Sequence, residues 1–157
     1  MKGNPTVIEA LLKACAAEVR SHVQYRQDAA VLENLGLPAL AAYLIGRAGE
    51  ESEHLKKYLA RLTFLEGAPA FQPTATVYNS DVLAVLNGQL ALELQASADY
   101  QAAGDMAAAS GDAVTRDLFA EIEADEQEHI NWLEGELAII SRFGIEAYVA
   151  GYRAKGV

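Results

Sequence analysis

Cysteine is almost missing from this 157-residue chain. Cys15 stands alone, which excludes an intramolecular disulfide, a Cys-x-x-Cys zinc site and a rubredoxin-type iron site. A lone thiol suits a reducing compartment, and the expected location is cytoplasmic. Positive charge is also scarce, at 12 Lys and Arg against 22 Asp and Glu, for a net charge of −10. Such a field repels phosphate backbones and concentrates cations, so metal ions are expected as ligands and nucleic acid is not. No charge-free run reaches the roughly 18 residues of a membrane span, and no apolar leader follows Met1-Lys2-Gly3-Asn4-Pro5, so neither a membrane partner nor export is expected. What is present is apolar bulk: 52% hydrophobic against 22% charged residues, which allows one domain to bury roughly two-thirds of its unfolded surface.

Proline is limited to four residues and β-branched alternation is lacking, while apolar residues recur at helical intervals almost throughout. The pattern predicts an all-α single domain over 1–157, with helices at about 5–35, 39–66, 81–110 and 112–143 and a short one at about 145–154. Asn4 is placed to cap the first helix with Pro5 in its first turn, and Gly36 to end it. Gly67 and Pro69 stop the second, Asn79 or Ser80 caps a third that begins at Asp81, and Asp112 opens the fourth. The segment 67–80 carries no charge and no helical period. A connection of that length can cross a bundle, so the expected architecture is a four-helix bundle with one long crossover and a short C-terminal helix.

Two of the three histidines follow a glutamate by three residues, in Glu51-Ser52-Glu53-His54 and Glu126-Gln127-Glu128-His129. On a helix that spacing puts both side chains on one face. One such pair alone reads as a solvated face. The separations are more informative: Glu51 to Glu126 and His54 to His129 are both 75 residues, and the same shift relates Glu18 to Glu93, Tyr25 to Tyr100 and Gly36 to Gly111. The chain therefore reads as two helix pairs, each giving one Glu from its first helix and a Glu-x-x-His from its second.

All six polar residues fall on apolar stripes. Glu18 is one heptad from Leu11 and Tyr25, Glu93 one heptad from Leu86 and Tyr100, and the two Glu-x-x-His pairs share faces with Leu44, Tyr58, Ile122 and Leu133. Four carboxylates in a bundle core lose hydration and repel one another at several kcal/mol each, unless protons or cations neutralise them. Two divalent metals balance four negative charges. One Glu from each of two helices plus Glu-x-x-His from the other two is the ligand set of di-iron carboxylate bundles. Oxygen-rich ligation without thiolate suits iron or manganese.

The opening Met-Lys-Gly-x-Pro-x-Val-Ile, the run Phe64-Leu65-Glu66-Gly67-x-Pro69, Leu90-Ala91-Leu92-Glu93-Leu94 and His129-Ile130-x-Trp132-Leu133-Glu134 resemble the bacterioferritin family across nearly the whole chain. The resemblance implies a ferritin-like fold and a 24-subunit homo-oligomeric cage, built from dimers, that oxidises Fe(II) at a di-iron centre within each subunit and stores Fe(III) mineral. It implies that Glu51 and Glu126 bridge two irons, with Glu18 and His54, and Glu93 and His129, as terminal ligands. Tyr25 matches a family tyrosine beside the centre that supports the ligands or donates an electron; a core aromatic with a satisfied hydroxyl is the plainer reading. Trp132 and Cys15 read as packing, Met106 as a core or surface filler, and His22 as a helix polar residue without a function. A ferredoxin-type reductant for iron release also follows from the likeness.

Ser52 departs from the family. Haem-binding members carry there a methionine, and two of these sandwich a haem across a subunit two-fold; a hydroxyl does not replace a thioether as axial ligand. Haem is therefore expected to be absent. Where other members have a cavity-facing His and Asp, this chain has Gly46 and Glu50, which puts an accessory iron site in question. Three rivals remain: a rubrerythrin-like di-iron peroxidase, disfavoured by the missing cysteines; a DNA-protecting mini-ferritin, disfavoured by the charge; and a subunit that co-assembles with a haem-binding paralogue. Haem reconstitution is expected to give no Soret band that persists at one haem per dimer; such a band would overturn the reading of Ser52.

Overall fold

A computed structural model of the chain describes residues 2–155, so Met1, which begins the family-like opening, lies outside them. The elements are α1 (Pro5–Asn34), α2 (Pro38–Phe64), α3 (Val82–Ala109), α4 (Ala113–Phe143) and α5 (Ile145–Lys155). No strand occurs among the described residues, and no described helix is long and apolar enough to cross a membrane.

Each short turn is closed in the same way. Gly36 and Gly111 take left-handed φ of 76° and 75°, conformations that suit a residue without Cβ. Gly36 N–H donates to Glu33 O and Leu37 N–H to Leu32 O, and 75 residues later Gly111 donates to Ala108 O and Asp112 to Ala107 O, at 2.9–3.0 Å. Such tight turns make α1 and α2 neighbours, and likewise α3 and α4, and those two pairs carry most of the packing.

Pairings between the helix pairs fix the remaining directions. Tyr25 meets Glu93 while Glu18, seven residues earlier, meets Tyr100, seven later, so α1 and α3 are antiparallel. Glu50 meets His129 and His54 meets Asp125, which makes α2 and α4 antiparallel too. Hence α2 and α3 run parallel, as a long crossover requires.

The caps correct three details of the sequence reading. Asp81, in extended conformation, is itself the cap of α3, accepting from Ala84 N–H at 2.9 Å. Asn79 lies two residues before that cap, drawn to Asp28 by its Nδ2, which donates at 3.0 and 3.1 Å. The second helix stops at Phe64, two residues before the expected end, and the left-handed residue is Glu66, with φ 59°, rather than Gly67. Gly67 is needed for a different reason: a Cβ there would come within 2.4 Å of Leu62 Cδ1.

The crossover is held to α1 by side-chain amides. Gln24 Nε2 donates to Val77 O and its Oε1 accepts from Val77 N–H, both at 2.8 Å, while Gln27 Nε2 donates to the same carbonyl. Beneath this clip lies Asp28, with no exposed surface, accepting from Gln24 (3.1 Å), Gln89 (2.7 Å) and Asn79. Burial pushes its carboxyl pKa up, and the three amides pull it back.

Two apolar clusters fill the bundle. One gathers Tyr25, Leu32, Leu40, Leu44, Leu86 and Leu133; the other gathers Leu11, Cys15, Tyr58, Leu62, Phe119 and Ile122. Cys15 is fully buried and its thiol is pushed up to about 11, by burial first and by Glu18 second, as befits packing rather than reactivity. Met106 packs half-buried against the second cluster. On every helix of the bundle the candidate ligands fall between residues of one cluster and residues of the other.

Replacing Asp28 leaves the buried amides of Asn79 and Gln89 without their acceptor and Gln24 with Val77 O alone. Asp28→Ala is expected to cost about 2 kcal/mol of stability, read as a lower thermal midpoint, and to open residues 67–80 to limited proteolysis.

Candidate metal centre

The six predicted residues converge between the two clusters, each 1–3% exposed. They form two overlapping groups, Glu18, Glu51, His54 and Glu126, and Glu51, Glu93, Glu126 and His129, with the potential ligand atoms of each group within 4.8 Å of one another. Glu51 and Glu126 belong to both. Glu51 turns Oε2 to His54 Nδ1 (3.6 Å) and Oε1 to His129 Nδ1 (3.4 Å), and Glu126 turns Oε1 to His54 Nδ1 (3.3 Å) and Oε2 to His129 Nδ1 (3.1 Å). Glu18 Oε2 lies 3.7 Å from His54 Nδ1, and Glu93 Oε1 lies 3.6 Å from His129 Nδ1. The imidazole centroids are 6.4 Å apart. Two carboxylates thus span two positions, and each position keeps one carboxylate and one imidazole of its own.

Six buried atoms of this cluster make no hydrogen bond: Glu51 Oε1, Glu93 Oε2, both oxygens of Glu126, and Nδ1 of each histidine. Such atoms are costly in a folded interior unless another kind of ligand takes them up. Hard oxygens and imidazole nitrogens converging on two points, with no thiolate, fit a pair of divalent iron or manganese ions.

Without a cation the cluster balances its charge with protons. Burial opposes an imidazolium at His54, but Glu126, Glu18 and Glu51 outweigh it and hold the pKa up to about 12. His129 is raised in the same manner, burial opposing and Glu126, Glu51 and Glu93 prevailing. Burial would raise Glu126, yet the two imidazoles bring it down to about 2. Glu93 is raised to about 7, by burial against the pull of His129, and Glu18 is raised well above the usual range by burial and by the charges of Glu51 and Glu126.

Four further residues surround the ligands. Tyr25 donates to Glu93 Oε1, and Tyr100 donates to Glu18 Oε1 at 2.6 Å. Burial and the neighbouring carboxylates raise both phenols, which keeps them protonated as donors. With Nδ1 facing the cluster, His54 Nε2 lies 3.2 Å from Asp125 Oδ2, and His129 Nε2 lies 2.9 Å from Glu50 Oε2. Tyr25 was singled out by the sequence reading; Tyr100 was noticed only as its repeat, and Asp125 not at all. Glu50 was considered as a cavity ligand, but it belongs to neither metal-holding group and is engaged by His129 and Arg47. The signal that finds Glu50 and Asp125 is the 75-residue separation, which they obey.

The peripheral readings fare as follows. Trp132 stacks on Tyr43 with centroids 3.8 Å apart, a packing role. His22 bridges helices, with Nδ1 2.7 Å from Ala48 O and Nε2 accepting from Arg26.

Comparison with known proteins agrees with this geometry. Residues 8–143 match the model of the ferritin-like domain family. A bacterioferritin of Brucella melitensis biotype 1 is 34% identical, over 94% of this chain and 92% of its own. The chain belongs to the bacterioferritin family. A bacterial ferritin of Pseudomonas aeruginosa is 30% identical over 95% of this chain and 97% of its own, and a bacterioferritin of Rhodobacter capsulatus 32% over 94% and 92%. The likeness spans almost the full length of each relative, so this member of the bacterioferritin family matches its relatives as whole chains.

A divalent metal needs both Nδ1 atoms free of protons, and both carry protons throughout the neutral range in the metal-free cluster. Loading the pair is therefore expected to release at least two protons. The overall binding constant should rise at least about a hundredfold per pH unit through the neutral range, measured by calorimetry in buffers of different ionisation enthalpy.

Proposed function

We propose that the protein stores iron and is a ferroxidase, taking Fe(II) as substrate at the six-ligand centre and retaining Fe(III) as mineral in a 24-subunit cage of cytoplasmic bacterioferritin type. The observation that carries this reading is the paired arrangement of Glu51 and Glu126, each with one oxygen turned to either histidine, around six buried atoms without hydrogen bonds. Two Fe(II) ions held there become Fe(III) and supply two electrons; with two protons these reduce dioxygen to hydrogen peroxide, or hydrogen peroxide to two waters.

The chain's own residues have separable tasks. Glu51 and Glu126 span the two ions, Glu18 and His54 complete one position, and Glu93 and His129 complete the other. Four carboxylates match the charge of two divalent ions and favour the higher charge that follows oxidation. Tyr25 and Tyr100 fix the outer carboxylates by donating to one oxygen of each, and Glu93 retains Oε2 for metal. The apolar clusters on either side exclude bulk water from the pair. Exposed Phe64, Tyr78, Val114 and Phe143 supply apolar surface for contacts between subunits. Ser52, on α2, offers no thioether to a haem, so the cage is proposed to lack methionine-ligated haem.

Aerobic addition of Fe(II) to the purified protein, followed by near-ultraviolet ferric absorbance, tests the assignment. Wild type is expected to oxidise iron at least about tenfold faster than Glu18→Ala or His129→Ala. Equal rates in all three would remove the ferroxidase reading.

A further inference from the structure

Each of the four outer ligands has one hydrogen-bonded support, and each support comes from the opposite helix pair: Tyr100 for Glu18, Tyr25 for Glu93, Asp125 for His54 and Glu50 for His129. Ligands and supports alike obey the 75-residue relation. The relation breaks at Arg47. Its Nη1 lies 2.8 Å from Glu50 Oε2, the same oxygen that lies 2.9 Å from His129 Nε2. The position 75 residues on is Ile122, which is buried in the core, and Asp125 forms an ion pair with His54 alone among the described residues. Lys57, which lines the same surface cavity as Asp125, is committed to Glu121 at 2.8 Å.

The guanidinium is not a loose surface group. It lies over the ring of Tyr43, 5.0 Å from its centroid, and Tyr43 in turn stacks on Trp132. A carboxylate oxygen shared with a fixed guanidinium accepts less from the imidazole N–H, so His129 is the poorer electron donor of the two histidines. The positive charge itself also opposes a cation at that end of the centre, whereas Asp125, whose neighbour Lys57 is already paired with Glu121, favours one at the other.

We propose that Arg47 makes the two metal positions unequal, so that the Glu18–His54 position fills before the Glu93–His129 position. The proposal rests on the reading of the cluster as a two-metal site and adds an order of filling to it. Arg47 acts through Glu50 and His129 and is a positioning residue.

Titration of the assembled, metal-free protein with Co(II), followed by its visible absorption, separates the outcomes. Wild type is expected to bind two Co(II) per chain in two steps at least about tenfold apart. Glu93→Ala should keep the tighter step and Glu18→Ala should lose it. Arg47→Met should tighten the second step by roughly tenfold, merging the two, while Arg47→Lys, which keeps the charge, should leave them separate. A single class of sites in wild type, or an undiminished separation in Arg47→Met, overturns the proposal and leaves the two-metal reading in place. Absence of Co(II) bands that Glu18→Ala abolishes would overturn both.

Discussion

Four carboxylates buried in one apolar bundle are the constraint on which the rest of this structure turns. A desolvated, unpaired anion costs several kcal/mol, and here four lie within a few ångströms of each other. The fold answers by splitting its core in two and seating the carboxylates at the seam with the imidazoles of His54 and His129. Protons on those imidazoles and on the raised Glu18 offset the charge without a cation, and the proposed divalent ions would take over that task. The phenols of Tyr25 and Tyr100 contribute no charge; they fix which oxygen of each outer carboxylate is already occupied.

The same seam explains the distribution of polar groups beyond it. Glu50 and Asp125 are 43% and 47% exposed, so they keep much of their hydration while reaching one buried ring nitrogen each. Negative charge is thus stacked outward from the centre, ligand then support, with full desolvation reserved for the ligands. Asp28 is a separate solution to the same problem. Three carboxamides saturate it without any cation, and because two of those amides sit on α1 and α3 and one on the crossover, satisfying the carboxylate also fixes the path of the chain.

Helix periodicity, the two turn glycines and the recurring Glu-x-x-His carried most of the fold and the six residues of the candidate centre in the sequence, because each is a pattern at fixed spacing. What lay outside that reach depends on contacts between distant segments. Asn79 reads as a cap because nothing local reveals that Asp28, 51 residues earlier, draws its side chain into the interior. Gly67 reads as the residue that stops the second helix, whereas the chain turns left-handed at Glu66 and Gly67 is small to admit Leu62. Glu50 and Asp125 fall on partly exposed helix flanks, where an acid is unremarkable; the 75-residue separation pairs them, but which imidazole each meets follows from the antiparallel alignment of α2 with α4. Arg47 is further still from sequence reasoning, since its significance is that a repeat is broken there.

The crossed supports carry a consequence for how such a centre can be built. Two copies of one helix hairpin, related by a true two-fold axis, would present this ligand set, but every departure would then be imposed twice. An arginine beside one imidazole would bring another beside its mate. The strand of chain clipped over α1 removes that obligation by joining the hairpins in one polypeptide. Position 47 can hold a cation while position 122 fills the core, and position 28 can hold a buried acid while position 103 is alanine. The crossover is therefore what permits asymmetry: it lets one half of a nearly symmetric centre be tuned without altering the other.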